Sequence, residues 1–238
     1  MTDEDVRGDT HVHSDWTDGV DSIEVMARAA RARGLGWVVL TDHSPSLGIT
    51  RGLPPERVVE QRAEIDRLNA ELAPFRILHG TEMEIRADGT LDYPDGLLAL
   101  FDLVVASVHT ARGQSPERLT ERTLAAIENP HVDVIAHPTG RIVNRRDPVA
   151  LDWPRVFAAA ARSGTALEIN GSPRLDLDDS LARAARAAGA RLTLASDAHR
   201  TEELEQLRYA VSTARRAWVT PDAILNRFSA DELSEGAR

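Results

Sequence analysis

The chain has 238 residues, 42% hydrophobic and 28% charged, enough for one large domain or two small ones of ordinary globular composition. Its formal net charge of -10 argues against a broad basic surface for nucleic acid, while leaving room for a small basic cleft beside bound cations. Cysteine and lysine are both absent, which excludes disulfides, thiolate metal sites, cysteine nucleophiles, Schiff-base lysines and P-loop lysines.

In chain order, short apolar runs alternate with longer stretches of helical periodicity. GDTHVH (8–13) reads as a first strand. A helix over 21–33 opens with DSIEVM, carboxylates in its first turn, and stops at Gly34 before WVVL (37–40), the second strand. A helix over 55–72 precedes the strand RILHGTEMEI (76–85), and LVVASV (103–108) follows. SPERL sets Pro116 at the first position of a helix over 116–128, ahead of VDVIA (132–136). Helices over 153–162 and 179–188, closed by Gly164 and Gly189, flank TALEI (165–169); RLTLA (191–195) leads into a last helix over 202–217. Such alternation predicts a parallel sheet with right-handed crossovers, and seven units without a break favour a closed or nearly closed α/β barrel. No repeat, linker or low-complexity tract intervenes, so residues 1–238 are expected to form one domain. No apolar run reaches the ~18 residues of a membrane span, and the opening MTDEDVRGD is no leader peptide, so a cytoplasmic location without membrane contact is expected.

A parallel barrel carries its active site at the C-terminal ends of its strands. The first strand ends in His11 and His13, the second in His43, the fourth in His109 and the fifth in His137. The third carries Glu82, the sixth ends in Glu168 and Asn170, and the seventh runs into Asp197 and His199. Six of the eight histidines thus fall on one predicted rim, interleaved with carboxylates. His79 has the wrong parity to share a face with Glu82, and His131 precedes its strand; both read as structural. Residues i and i+2 share a face, so His11 with His13, and Asp197 with His199, can converge on one cavity. Imidazole and carboxylate without thiolate suit Zn, Mn or Fe(II), and so many donors exceed what one ion can use, so two to three divalent ions are expected.

The motifs THVHSDWTDG, LTDHS, GTEMEI, ASVH, AHPTG, EIN and SDAH stand in an order that resembles the PHP (polymerase and histidinol phosphatase) superfamily of metal-dependent phosphoesterases. LDYPDGLLALFDLVVASVH, TERTLAAIENPHVDVIAHPTGRIVNRRDP and ALEINGSPRLDLDD resemble, more narrowly, the C-terminal PHP domain of bacterial family X DNA polymerases, over roughly residues 7–228. The resemblance implies a distorted seven-stranded, TIM-barrel-like fold with three metals. His11, His13, Glu82 and Asp197 would hold the first, Glu82, His109 and His137 the second, and Asp18, His43 and His199 the third. Asp42 and Glu168 read either as structural groups or as carboxylates that orient a ligating imidazole through its far ring nitrogen. Glu84 matches no ligand position. No polymerase segment precedes Met1 in this sequence, so the expected setting is a stand-alone relative or a domain of a parent polymerase chain.

The expected chemistry is hydrolysis of a phosphate ester without a covalent enzyme intermediate, with Glu82, Asp197 and His199 at its centre. Arg141, Arg145 and Arg146 in TGRIVNRRDP, and Arg174 in GSPRLDL, are candidates to grip phosphate. The branch resemblance implies 3'–5' exonuclease or 3'-phosphatase action on DNA ends. The rivals are a small-molecule phosphomonoesterase of the histidinol-phosphate type and a non-catalytic scaffold. A dinuclear amidohydrolase bridged by a carboxylated lysine is excluded, since the chain has no lysine.

Overall fold

The computed structural model describes residues 1–235, apart from the side chain of Asp3. Seven strands lie in the order β1 to β7, every neighbouring pair parallel. They are β1 (Gly8–Val12), β2 (Trp37–Leu40), β3 (Arg76–Glu84), β4 (Leu103–Ser107), β5 (Val134–Ile135), β6 (Ala166–Asn170) and β7 (Leu192–Ala195). The crossovers carry α1 (Ile23–Ala32), α2 (Pro55–Leu72), α3 (Asp95–Leu98), α4 (Pro116–Ile127), α5 (Trp153–Ser163) and α6 (Asp179–Ala187); α7 (Leu207–Arg216) and α8 (Ala230–Ser234) follow β7. Helix α1 shows the shared design: Ile23, Met26, Ala27 and Ala30 form one buried stripe, and Ser22 caps the helix by accepting from the Val25 N–H. Gly164 ends α5 at φ 85°, a conformation a Cβ would strain. The helical pattern of the sequence differs at three places. The expected helix over 202–217 begins as a 3-10 turn over Thr201–Gln206, and α3 and α8 are too short to leave a readable period.

Period-two alternation splits each strand between two environments. Val38, Leu40, Ile77, Val104, Ala106, Ile135, Leu167 and Ile169 pack outward in the clusters that take in the helices. Trp37, Val39, Leu78, Leu103, Val105, Val134, Ala136 and Ala166 form a separate cluster with Leu225, Ala230 and Leu233 of the C-terminal segment. That inward set is an apolar floor, plugged from below. Above it, at the same parity, stand Glu82 on β3, Ser107 on β4 and Glu168 on β6. The barrel interior therefore changes from dry hydrocarbon to charge within about two residues of strand rise, roughly 7 Å.

The seam between β1 and β7 is nearly closed. At the upper end His13 N–H donates to Ala198 O (2.8 Å) and Asp197 N–H to His11 O (3.0 Å). Lower down the fully buried Asn226 stitches it, donating to Gly8 O and Leu194 O (both 2.8 Å) and accepting from Leu194 N–H (2.7 Å). Asn226→Ala strands three buried backbone groups, so a loss of about 3 kcal/mol in urea unfolding is expected. An unchanged midpoint would show that the seam does not depend on this residue. Among the described residues no helix is long and apolar enough to cross a membrane.

Candidate metal centre

The nine residues expected as ligands meet at the C-terminal rim of the barrel. Glu82 is the hub. Its Oε1 lies 2.9 Å from His137 Nε2 and 3.2 Å from His109 Nε2. Its Oε2 lies 3.2 Å from His43 Nδ1, 3.4 Å from His11 Nε2 and 3.5 Å from His13 Nε2. Asp197 Oδ1 faces the His11 and His13 Nε2 atoms at 3.7 and 3.5 Å. Asp18 Oδ2 stands 3.4 Å from His43 Nε2 and 3.5 Å from His199 Nε2. Two of these residues, His137 and Asp197, have φ of 26° and 58°. Positive φ on a residue with a Cβ costs on the order of 1 kcal/mol, so the surrounding loops must impose it.

Partners on the far ring nitrogen fix the direction of three imidazoles. His11 Nδ1 contacts Glu168 Oε2 at 2.7 Å, His109 Nδ1 contacts Glu84 Oε2 at 3.0 Å, and His199 Nδ1 donates to Asp197 O at 2.9 Å. Each leaves Nε2 as the lone pair facing the cluster. Glu168 thus orients an imidazole. Asp42 takes the structural alternative: it accepts from Ser14 N–H and Oγ, Thr17 Oγ1 and Gln61 Nε2, bracing the loop between β1 and Asp18. Glu84, left out by the motif match, takes the orienting role and is itself held by the buried Arg122 at 3.3 Å. Its shared parity with Glu82 was the available signal. His79 is buried outside the cluster against Gln61 (3.0 Å), and His131 precedes β5 at the opposite rim.

Mutual charge dominates the electrostatics. Burial opposes ionisation of Glu82, but His109, His43 and His11 outweigh it and hold the carboxyl well below its usual range. Asp197 behaves likewise against His11, His13 and Arg174. His109 and His199 rise to about 9 because Glu82 and Asp18, respectively, overcome their burial. Burial pushes His13 down to about 3, helped by His199, and His137 down to about 4, helped by Arg174.

The donor set fits divalent ions. His11 Nε2 and His13 Nε2 lie 3.1 Å apart, each facing oxygens of Glu82 and Asp197 at 3.4–3.7 Å. A tetrahedral ion with bonds of about 2.1 Å has ligand-to-ligand edges of about 3.4 Å. Two further groups have ligand atoms within 4.8 Å of one another: His43, Glu82 and His109, and His13, Asp18, His43 and His199. His13 Nδ1 and His137 Nδ1 are buried without hydrogen-bond partners. These are donor sets for neutral imidazole and carboxylate oxygen, the chemistry of Zn, Mn or Fe(II).

The candidate phosphate-gripping arginines differ in placement. Arg174 stands on the rim: its Nε donates to Asp197 Oδ2 at 3.2 Å and its Nη1 is buried without a partner. Arg141 is committed to the carbonyls of Arg174 and Leu175 and so shapes the loop that carries Arg174. Arg145 is exposed, and Arg146 donates to Gly140 O at 2.8 Å. Arg112, unmarked by any motif, lies over Gly140 beside it.

Comparison with known proteins agrees with this reading of the fold. The PHP domain model matches residues 9–172. The DNA polymerase/3'-5' exonuclease PolX of Bacillus subtilis is 42% identical over 229 residues, 96% of this chain; the chain spans 40% of that protein's length. A protein named a probable phosphatase from Thermoanaerobacter sp. (strain X514) is 30% identical over 92% of this chain and 89% of its own length. The fold matches histidinol phosphate phosphatase of Lactococcus lactis, solved with zinc, L-histidinol and phosphate, at a TM-score of 0.69 and 21% identity, over 90% of this chain and 94% of that one. The chain belongs to the PHP domain family. Fold and rim together define a metal-dependent phosphoesterase of that class.

Proposed function

We propose that this chain hydrolyses phosphate esters with a three-ion centre and acts on DNA 3' ends, as a 3'–5' exonuclease or 3'-phosphatase. The carrying observation is Glu82, whose two oxygens face five imidazoles divided between separate donor groups. His11, His13, Glu82 and Asp197 would hold one ion, Glu82, His109 and His137 a second, and Asp18, His43 and His199 a third. Divalent ions bound there supply Lewis acidity toward a phosphoryl oxygen and toward the attacking water.

The remaining work belongs to the protein. Asp197 turns Oδ1 to the imidazoles while its Oδ2 accepts from Asn170 Nδ2 (3.1 Å) and Arg174 Nε (3.2 Å), which locks the carboxylate plane. The free Nη1 of Arg174 is a donor for a phosphoryl oxygen, at a position where a charged hydrogen bond gains from burial. His199 is partly exposed beside Asp18 at the mouth, where Nδ1–H on Asp197 O leaves Nε2 to serve as a donor for the third ion. Arg174→Ala is expected to raise KM by about tenfold with a smaller effect on kcat, because it removes a phosphate contact made in the ground state. Arg141→Ala should chiefly lower the melting temperature. Equal KM effects in both variants would count against this division of roles.

Identity to the polymerase relative supports the DNA reading. The second reading, a small-molecule phosphomonoesterase, is favoured by the relative named as a phosphatase, which this chain matches over most of its length. A panel of 3'-phosphorylated and 3'-hydroxyl oligonucleotides against sugar and amino-alcohol phosphates, with Mn-, Zn- or Fe-loaded protein, decides between them. Oligonucleotide hydrolysis should weaken only modestly as salt rises, since few backbone phosphates can be gripped by so acidic a chain. Loss of all phosphoester hydrolysis across the panel would leave the scaffold reading.

A further inference from the structure

We propose that Arg112 and Arg146 form a second anion subsite beside the rim, suited to a phosphate neighbouring the one hydrolysed, so that the preferred substrates carry at least two phosphates. This rests on the phosphoesterase reading above. Arg112 lies in the loop after β4 that carries His109, and Arg146 in the loop after β5 that carries His137. The two loops meet at Gly140. With φ +58° and no side chain, Gly140 leaves the space where a Cβ would collide with the Arg112 guanidinium. Its carbonyl accepts from Arg146 Nε at 2.8 Å. Both guanidiniums therefore touch one residue, and both line a groove of about 620 Å³ with Gln114, Asp147 and Pro148.

Little holds them there electrostatically. Among the described residues Arg112 reaches the carbonyls of Thr139 and Asp147, each at 3.4 Å. Among the described residues neither guanidinium has a carboxylate within ion-pair distance, unlike Arg174 on Asp197 or Arg122 on Glu84. Burial together with Arg146 and Arg174 lowers Arg112 to about 10, and burial with Arg174 also lowers Arg146. Asp176 is the carboxylate that acts on all three, and its oxygens are engaged by Thr139 Oγ1 (2.7 Å) and Thr139 N–H (3.3 Å). Arg174 has Asp197 as a partner of its own, so Arg112 and Arg146 are the cations left with Asp176 alone, and Arg112 feels the repulsion of both Arg146 and Arg174. A phosphate relieves that repulsion and suits the planar, bidentate guanidinium. Arg174 connects the two places, reaching Asp197 on the rim while adding its field to Arg112 and Arg146.

The test compares thymidine 3'-monophosphate with thymidine 3',5'-bisphosphate on the Mn-loaded chain, together with fluorescence anisotropy of a labelled thymidine trinucleotide. Wild-type protein should prefer the bisphosphate in kcat/KM by about tenfold or more, as expected for one added charge-assisted contact. Arg112→Ala and Arg146→Ala should bring that ratio close to one and weaken trinucleotide binding by about tenfold. Arg112→Lys, which keeps the charge but not the fork, should fall between and guards against a folding defect. No preference in the wild type, or a preference that survives both alanine variants, overturns the proposal. If neither nucleotide is hydrolysed, the phosphoesterase reading fails separately and the anisotropy decides. Weakened binding in the variants upholds the subsite, and unchanged binding removes it.

Discussion

Glu82→Gln is expected to reduce kcat/KM by on the order of a thousandfold, about 4 kcal/mol of transition-state stabilisation. The substitution keeps the shape of the side chain and removes its charge at the point where His137, His109, His43, His11 and His13 converge at 2.9–3.5 Å. An amide offers one acceptor oxygen where two are shared between donor groups, and it turns an N–H₂ toward lone pairs. Two of the three proposed ions lose a ligand at once, and metal content should fall from two or three ions per chain to about one, held by Asp18, His43 and His199. His131→Ala should leave kcat/KM within about twofold, since the residue lies at the opposite rim. His79→Ala should cost stability through the lost Gln61 bond and the lost packing on Phe101, not catalysis. Elemental analysis and steady-state kinetics on the same preparations check this. A Glu82→Gln protein with full metal content and full activity would remove the centre proposed here.

Much of the rim could be read from sequence because a parallel barrel converts chain position into spatial position. Once seven strands are counted, every strand end is a rim position, and His11, His43, Glu82, His109 and His137 come together without any knowledge of tertiary contacts. The inward direction of Glu82 follows from parity, on the same side as Leu78 of the floor, whereas its bridging role was what the family resemblance implied. What could not be read depends on loops, where no period relates sequence to direction. Arg141 and Arg174 looked alike as arginines after strand ends, yet one is consumed by backbone carbonyls and the other reaches Asp197. Asp42 and Glu168 were alike open to a structural or an orienting role, and only the loop geometry turns Asp42 back onto Ser14 and Thr17. Arg112 carried no signal, because its proximity to Arg146 exists only where two loops meet over Gly140. Arg122 on α4 carried no signal either, because its partner, the buried Glu84, lies on a different element.

Metal-stripped protein should melt well below the loaded form. The upper barrel gathers six imidazoles and the carboxylates of Glu82, Asp18 and Asp197, and binding of an ion to this folded arrangement alone adds RT ln(1 + [M]/Kd) to stability. At a free metal concentration of about a thousand times Kd that is about 4 kcal/mol per ion. For a chain of this size each kcal/mol moves the midpoint by about 2–4 °C, so one tight ion accounts for a shift of about 8–16 °C. Glu168→Gln supplies the discriminating variant. Glu168 touches no other ring of the cluster but holds His11 Nδ1 at 2.7 Å, and its Oε1 accepts from His137 N–H (3.0 Å) and Asn170 Nδ2 (2.7 Å). Losing that charge should weaken metal affinity by about ten- to a hundredfold by making His11 a poorer, less directed ligand. Melting curves across a metal titration should therefore show the variant reaching the wild-type plateau at correspondingly higher metal, with kcat recovering there too. A variant whose plateau stays low at saturating metal would mark Glu168 as a brace of the barrel rather than of the imidazole. A wild-type midpoint indifferent to chelation and to added Zn or Mn would mean that the rim does not hold metal at all.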